Sequence, residues 1–579
     1  MDFRGLRSPL NPSDLSDTVQ VQLDLRQPHT QSIGVRMQWT PTTQRQVWQL
    51  PVWTPGSYTV RDHVQHLHSL RLFAGSSERP IRRLGPSQWL VDLDQLEPLT
   101  LDYTVTARDL TVRTCYLDPD VAALCLAGLV MELDGCRWSS HALSVLAPEH
   151  WQVHVPLDRL GDGWSAADLD ALIDSPVHAG RFSSTAFKVA GQDHELVLID
   201  APPSGWPEAL QADVEAVCAA TCRLMGTAPP AGDRYQLVIQ LLERGYGGLE
   251  HDHSSVLHYS RTDLHNPDGY RKLLQLIGHE YLHQWNVRRL RPLEYRPYDY
   301  SRAVVSEGLW FAEGITSYYD LTFPLLAGRS DRRTLLKDLG DDLSRVLLTP
   351  GRQIQSLAAS AREAWVKLYK ATPASRDDQV SYYGLGAATA FCLDVRLRDA
   401  GSSLAIVLRA LWQSHGVHGR GYGRGDLVGL IRTHNQELAD ALAAWLDDPD
   451  CLPLHETASM LGLDLVPSPS KDPHHGLTLS LEKGCIVVTR VEAGSPAQLA
   501  ELVVGDELIA VEGLRLRRME DLPGLLRHRE TSRMTYARRG RLGETSVSPV
   551  SGVDHWQLSW DPGASVQQQE LRDRWFEFL

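Results

Sequence analysis

The sequence lacks a long hydrophobic run. Its longest apolar stretch, Val121 to Met131, is far shorter than the ~20 residues that a membrane-spanning helix needs. The opening segment MDFRGLRSPLNPSD has no apolar core after its charged residues, so it does not resemble a signal peptide. We therefore expect a cytoplasmic protein with no membrane partner.

Cysteine and positive charge are also scarce. Eight cysteines are spread over 579 residues without a CxxC pair, which is not the pattern of a disulfide scaffold. The 57 Lys and Arg residues are outnumbered by 72 Asp and Glu residues, which gives a net charge of −15. Because that charge repels phosphate, we do not expect a nucleic-acid partner. The remaining composition, 42% hydrophobic and 22% charged, is that of a folded protein, and the length suggests three or four domains.

The first 175 residues alternate between apolar and polar side chains. In residues 19–25 and again in residues 33–39 every second side chain is apolar. A period of two is typical of half-buried strands. We predict an N-terminal antiparallel β domain over residues 1–175.

The rest of the chain divides into four further segments. Residues 176–465 begin with strand-like runs and become mostly helical from 268 onward, which indicates an α+β domain. Residues 466–475 contain three prolines and no apolar periodicity, so they are predicted to form a linker. Strand-like runs return in residues 476–550, and residues 551–579 are predicted to form a C-terminal tail.

The strongest chemical signal is an HExxH motif, His279-Glu280-Tyr281-Leu282-His283. It follows cap residues and a run of helix formers, and the helix is expected to end before Pro292. Residues four apart share one face of a helix, so both imidazoles can point at one Zn²⁺. Glu280 lies one step round the helix, where it can take a proton from a water that the metal activates. The motif therefore predicts a hydrolytic zinc centre.

A hydrolytic zinc site has three protein ligands and one open position. The run LWFAEGITSYY offers Glu313, thirty residues after His283. The rival is Glu307, which lies six residues earlier and cannot share a helix face with Glu313. Because Ser306 resembles an N-cap, Glu307 would fall in the first turn, where a negative charge is favoured anyway. We favour Glu313 as the third ligand.

Several segments together resemble the glycyl aminopeptidase family of zinc metallopeptidases. They are HEYLHQWNVRRLRP and LWFAEGITSYY, with LPVWTPGSYTVRD, YGGLEHDHSS and VSYYGLGAATAFCLDVRLR. The resemblance implies a multidomain α+β fold: a β domain, a thermolysin-like, mainly helical catalytic domain and a PDZ domain. It also implies one zinc ion per chain, held by His279, His283 and Glu313, with Glu280 as general base.

The resemblance assigns substrate-binding residues as well. In related aminopeptidases a Gly-x-x-Glu segment on a strand edge holds the free amine of the substrate, and its counterpart here consists of Gly247, Gly248 and Glu250. The alternative is that Glu250 is a solvated glutamate at a strand end. His251 is expected to line the cleft beside this anchor, although His251 and His253 could instead bind a second metal.

A tetrahedral intermediate needs a hydrogen-bond donor for its oxyanion. In related zinc aminopeptidases the donor is the tyrosine of a Tyr-x-Lys-Gly pattern, which Tyr383 matches by position. Leu385 replaces the usual lysine, and Tyr382 is the neighbouring candidate. The alternative is a tyrosine packed in the core.

The segment GCIVVTRVEAGSPAQLAELVVGDELIAVEG resembles a PDZ domain. PDZ domains bind an extended C-terminus by adding it to a sheet edge. The backbone N–H groups around Leu477, Thr478 and Leu479 would then hold the carboxylate of a C-terminal peptide. The alternative is a PDZ domain that only packs on the catalytic domain.

These patterns predict a cytoplasmic zinc aminopeptidase. Its substrates would be peptides with a free N-terminus, and the resemblance alone implies a preference for small first residues such as glycine or alanine. One rival is a zinc endopeptidase with the same centre, which would not need Glu250. The other is a catalytically weak PDZ adaptor protein, against which the intact HExxH motif and Glu313 argue.

Overall fold

The computed structural model describes residues 18–526 and 530–578. The opening segment MDFRGLRSPLNPSD, in which we found no signal peptide, lies outside the described residues. The chain forms two compact units. The first extends to residue 304 and adds 326–329 and 412–422; the second consists of 305–325, 330–411 and the residues from 423 onward.

The N-terminal part of the first unit consists mainly of strands. They are β1 (Val19–Asp24), β2 (Ser32–Trp39), β3 (Arg45–Gln49), β4 (Leu67–Ala74), β5 (Ser77–Arg79), β6 (Arg82–Gly85), β7 (Gln88–Asp92), β8 (Leu99–Thr106), β9 (Cys115–Leu117), β10 (Val121–Leu124), β11 (Glu132–Leu133), β12 (His141–Leu146), β13 (Gln152–His154), β14 (Asp158–Leu160), β15 (Gly163–Ala166) and β16 (Val177–Gly180), with the short helix α1 (Leu169–Ile173). Eight of the strands form one sheet in the order β14-β15-β12-β1-β2-β8-β4-β5, and two four-stranded sheets have the orders β13-β16-β10-β9 and β11-β3-β7-β6.

The alternation in the sequence explains the large sheet. On β1 and β2 the alternate apolar side chains, such as Val21, Val35 and Met37, are buried. The two strands pair antiparallel, with Val21 opposite Met37, whereas β1 and β12 pair in parallel. The predicted β domain at the N-terminus is therefore confirmed, with one parallel pair in an otherwise antiparallel sheet.

A five-stranded mixed sheet leads into the helical part of the first unit. Its elements are β17 (Ser183–Val189), β18 (Gln192–Ile199), α2 (Leu210–Met225), β19 (Arg234–Leu242), β20 (Tyr246–Glu250), β21 (Ser254–Ser260) and α3 (Pro267–Leu282). The strand order is β17-β18-β19-β21-β20, so β20 forms an edge of the sheet. The central pairs β18/β19 and β19/β21 are parallel, and the outer pairs are antiparallel.

Helices dominate the chain after residue 304. They are α4 (Leu309–Asp320), α5 (Phe323–Leu326), α6 (Arg332–Leu347), α7 (Leu357–Arg362), α8 (Tyr382–Asp399), α9 (Leu404–Ser414), α10 (Arg424–His434), α11 (Gln436–Asp447) and α12 (Leu454–Met460), followed by strand β22 (Leu463–Pro469). Helices α4 and α8 cross closely, because Gly314 and Gly386 meet at the crossing. A Cβ added at Gly314 would lie 2.5 Å from the Cα of Gly386.

The C-terminal β part has its own hydrophobic core. Its elements are β23 (Leu477–Glu482), β24 (Cys485–Val491), α13 (Pro496–Leu499), β25 (Glu507–Val511), β26 (Leu514–Arg515), α14 (Leu522–Leu526), β27 (Ser532–Arg538) and β28 (Arg541–Val547). The sheet has the order β23-β24-β25-β27-β28, and β26 pairs with β25. The core includes Val488, Leu508 and Met534. The multidomain α+β fold with a PDZ-type β domain is confirmed.

The predicted linker and tail are partly structured. Strand β29 (Val553–Trp560) pairs antiparallel with β22 over Leu463–Pro469. The first four residues of the predicted linker 466–475 therefore belong to a strand. A pair of strands has no central position, so the prolines in β22 are tolerated. The predicted tail 551–579 contains β29 and helix α15 (Val566–Trp575).

Two expectations from composition can be compared with the structure directly. No helix in the described part of the chain is both long and apolar enough to cross a bilayer. All eight cysteines, each of them described, are free thiols, and six of them are buried.

Candidate active site

The HExxH motif lies at the end of α3. Asn266 caps the helix, because its side chain accepts a hydrogen bond from the backbone N–H of Gly269, and Pro267 occupies the first turn. His279 lies in the last turn and His283 is the C-cap residue, so the helix ends at Leu282, before Pro292 as predicted. The two imidazole rings are perpendicular, with their centroids 4.7 Å apart. The predicted shared face is thus present in the structure.

The tautomer of His283 follows from its surroundings. The side chain is 1% exposed, and its Nδ1 donates a hydrogen bond to the backbone carbonyl of Asn286. A proton on Nδ1 leaves the lone pair of Nε2 available for a metal. Asn286, in the turn after the helix, is a partner that the sequence pattern did not identify.

Two groups of side chains could each hold a metal ion. One consists of His279, His283 and Glu313, and the other of Glu250, Glu280 and His283. Within each group the potential ligand atoms lie within 4.8 Å of one another. The first group has the two nitrogen donors and one oxygen donor that suit Zn²⁺.

Glu280 packs against the edge strand β20. Its side chain is 4% exposed, and it occupies the space beside Gly248. A Cβ added at Gly248 would lie 2.0 Å from Oε1 of Glu280 and 2.2 Å from its Cδ. Only glycine at position 248 leaves room for this carboxylate in its observed position.

Glu250 ends the same strand and is 3% exposed, so it is not a solvated strand-end glutamate. The Pro55-Gly56 turn of the N-terminal part covers it. A Cβ on Gly56 would lie 2.6 and 2.7 Å from the two carboxylate oxygens, and Gly56 has a positive φ of 79°. Among the described residues, Oε1 of Glu250 has no hydrogen-bond partner. A buried carboxylate oxygen in that state is suited to an incoming cationic donor.

His251, the residue after β20, contacts a buried network of charged side chains. Its Nδ1 lies 3.0 Å from Oδ1 of Asp174, and Arg288 contacts Asp174 at 2.8 Å and Asp252 at 3.0 Å. Burial lowers the pKa of Arg288, but the charges of Asp174 and Asp252 outweigh it and hold that pKa well above its ordinary value. His253 is exposed. Neither His251 nor His253 belongs to a potential metal-binding group among the described residues, so nothing supports the second metal site.

Glu313 and its rival Glu307 have different environments. Glu313 lies inside α4 and is buried. Glu307 precedes the helix and forms salt bridges of 2.8 Å with Arg362 and with Arg424. The sequence placed the helix start too early, because the N-cap is Gly308. Two arginines already neutralise Glu307, which makes it the poorer metal ligand.

Three tyrosines meet where α8 begins. The rings of Tyr382 and Tyr383 are stacked with their centroids 4.7 Å apart. The hydroxyl of Tyr369, in the 3₁₀ turn Leu368–Lys370, lies 3.0 Å from each of their hydroxyls. Tyr382 is fully buried, and burial, the two other phenols and the negative charge of Glu313 all raise its pKa. Tyr383 is partly exposed. Tyr369 carries no motif, so sequence reasoning missed it.

The predicted carboxylate loop of the PDZ domain lies on the edge strand β23. Thr478 is opposite Arg490 on β24, and the register shifts between Thr478 and Leu479. The backbone N–H of Leu477 donates to Nδ1 of His475 at 3.0 Å. That amide is therefore engaged within the domain, and carboxylate binding by Thr478 and Leu479 stays a prediction.

Family models match three parts of the chain. Residues 20–181 match the peptidase M61 N-terminal domain, residues 272–389 match the M61 glycyl aminopeptidase, and residues 487–538 match a PDZ domain. The second match contains the HExxH motif, Glu313 and Tyr383. No curated relative matches the sequence.

Solved structures are also similar to the chain. An aminopeptidase N family protein from Idiomarina loihiensis is 27% identical, with 96% of this chain and 100% of that chain covered and a TM-score of 0.89. An M1 zinc metallopeptidase from Deinococcus radiodurans is 14% identical, with 74% and 93% covered and a TM-score of 0.48. Aminopeptidase A from Legionella pneumophila, in complex with aspartic acid, is 12% identical, with 93% and 58% covered and a TM-score of 0.47.

Proposed function

We propose that this chain, parts of which match the models of the M61 glycyl aminopeptidase family, is a zinc-dependent aminopeptidase that removes small N-terminal residues from peptides. The observation that carries the proposal is the position of Glu280. Its carboxylate belongs to one group with His283 and with Glu250, so a single buried base adjoins both a metal-ligating imidazole and the expected amine anchor.

The donor set fits one Zn²⁺ per chain. His279, His283 and Glu313 would hold it, since two imidazoles and one carboxylate are a known hydrolytic zinc set with an open fourth position. When bound, zinc would polarise the scissile carbonyl and lower the pKa of water at the site. The hydrogen bond from Nδ1 of His283 to Asn286 keeps Nε2 deprotonated for that purpose.

Each protein group has one task in the proposed reaction. Glu250 accepts hydrogen bonds from the ammonium group of the first residue, which places the first peptide bond beside Glu280. Glu280 takes a proton from the attacking water and passes it to the leaving amine. Tyr383 donates a hydrogen bond to the oxyanion of the tetrahedral intermediate. The preference for glycine or alanine comes from the family resemblance.

Paired substrates test the amine anchor. We expect cleavage of a free Gly-Ala peptide and little cleavage of its N-acetylated form, because acetylation removes the cation that Glu250 would bind. A chelator should abolish the activity, and stoichiometric zinc should restore it. Equal cleavage of both peptides would instead identify an endopeptidase. Stoichiometric zinc without turnover of any peptide would favour the alternative of a catalytically weak PDZ adaptor protein.

The variant Glu280→Gln tests the general base. We expect it to keep one zinc per chain and to lose nearly all activity, because an amide cannot take the proton. Metal analysis and kcat on the same preparation measure both effects. Activity within tenfold of wild type would mean that another group acts as the base.

A further inference from the structure

Tyr369 occupies the centre of the tyrosine cluster. Its hydroxyl contacts the hydroxyls of both Tyr382 and Tyr383 at 3.0 Å. Tyr382 and Tyr383 are consecutive residues at the start of α8, whereas Tyr369 comes from the segment between α7 and α8. Tyr369 is thus a long-range bridge between two neighbours on one helix.

The number of protons gives this bridge a direction. Each phenol has one O–H to donate. If Tyr383 donates its proton to the oxyanion, it cannot donate to Tyr369. The contact between them is then a hydrogen bond from Tyr369 to Tyr383, and Tyr382 donates to Tyr369. The resulting chain runs from Tyr382 through Tyr369 to Tyr383, and each bond in such a chain strengthens the next.

The segment that carries Tyr369 is held in place at several points. The backbone N–H of Val380 donates to Gln355 at 2.9 Å, and the carbonyl of Val380 accepts a hydrogen bond from Ser360. Asp377, in the same segment, pairs with the buried Arg490 of β24. These contacts fix the C-terminal part of the segment, and the backbone N–H of Tyr369 itself donates to the carbonyl of Ala364 at 3.2 Å.

We propose that Tyr369 is a positioning residue for the reaction: its hydroxyl donates to Tyr383 and thereby orients the proton of Tyr383 toward the oxyanion. The inference rests on the proposed function, in which Tyr383 is the oxyanion donor. It requires no proton transfer from Tyr369 and no contact of Tyr369 with the substrate.

The test is a double-mutant cycle with Tyr369→Phe and Tyr383→Phe, assayed for kcat and KM on a free Gly-Ala peptide in the zinc-loaded, full-length chain. Tyr383→Phe should lower kcat by ~10²–10³, the effect of losing an oxyanion donor. Tyr369→Phe should lower kcat about tenfold, the effect of losing one hydrogen bond, and leave KM unchanged. In the Tyr383→Phe background, Tyr369→Phe should cause no further loss.

The control is Tyr116→Phe, which removes a phenol that bonds to Asp118 at 2.9 Å in the N-terminal part and should leave kcat unchanged. If Tyr369→Phe raises KM or lowers the melting temperature without lowering kcat, its role is structural and the inference fails. Fully additive losses in the double mutant also refute it. If Tyr383→Phe itself has wild-type kcat, the assigned oxyanion donor is wrong, and the proposed function has to be revised at that residue.

Discussion

The variant Gly248→Ala tests how tightly the edge strand fixes the general base. The added methyl would lie 2.0 Å from Oε1 of Glu280, 2.2 Å from its Cδ and 2.6 Å from its Cγ. A carbon atom in ordinary contact needs at least 3.4 Å. The carboxylate must therefore retreat by more than 1 Å, because the backbone of β20 is held by its pairing with β21.

The retreat should affect catalysis more than folding. The carboxylate of Glu280 is at the flexible end of its side chain, so we expect it to rotate away at a small cost in stability. A base displaced by about 1 Å loses its alignment with the attacking water, which costs on the order of 10²-fold in rate. We expect kcat to fall about a hundredfold, with zinc content and melting temperature close to those of the wild type.

Steady-state kinetics on a free-amine glycyl peptide, with metal analysis of each preparation, measure these effects. Gly247→Ala is the comparison on the same strand, because a Cβ there would meet no atom within 4 Å, and its loss of kcat should be far smaller. Gly429→Ala on α10, where a Cβ also has open space, should leave kcat unchanged. Wild-type kcat in Gly248→Ala would refute the idea that Glu280 acts from its observed position.

Three further perturbations have defined outcomes. Gly56→Ala should raise KM for free-amine peptides about tenfold, because the methyl would crowd the carboxylate of Glu250 and Gly56 has a positive φ. An unchanged KM would mean that the Pro55-Gly56 turn does not affect substrate binding by Glu250. Burial lowers the pKa of His178 to about 3 and of His258 to about 4. Both histidines are neutral in the folded protein, so their contribution to stability is complete above pH 6.5 and is lost as the pH falls toward 4. The unfolding constant should rise by up to tenfold per pH unit for each histidine. A urea midpoint that does not change over that range would contradict this. Trp575→Ala should lower the unfolding free energy by about 3–5 kcal/mol in urea titrations, and a loss below 1 kcal/mol would place the C-terminal helix outside the cooperative unit.

The sequence alone was sufficient to predict the features that depend on a regular spacing of nearby residues. A period of two in residues 19–25 and 33–39 predicted two strands, and burial on alternate positions followed. The i, i+4 spacing of His279 and His283 predicted one helix face, which α3 provides. Both patterns are local, so they survive without knowledge of distant neighbours.

The features that sequence reasoning missed depend on distant neighbours. Tyr369 contacts Tyr383 only because the segment between α7 and α8 folds back, and the sequence around Tyr369 does not predict this contact. The C-terminal residues were predicted to be a tail, yet Nε1 of Trp575 donates to the hydroxyl of Tyr318 on α4 at 2.8 Å. Phe578 packs against Tyr318 as well. The sequence of α15 is only weakly amphipathic, so its packing against α4 could not be predicted from periodicity.

The electrostatics of the edge strand favour an exopeptidase over an endopeptidase. Glu250 and Glu280 are both nearly buried and belong to one group of potential ligand atoms. Two buried carboxylates so close together repel unless positive charge compensates them. Arg288 is already shared between Asp174 and Asp252. A substrate with a free N-terminus brings an ammonium group to Glu250, whereas an internal peptide segment brings a neutral amide and leaves that carboxylate uncompensated. If Glu250 is the amine anchor, as proposed, this arrangement favours binding of the end of a chain and would place the first peptide bond beside Glu280.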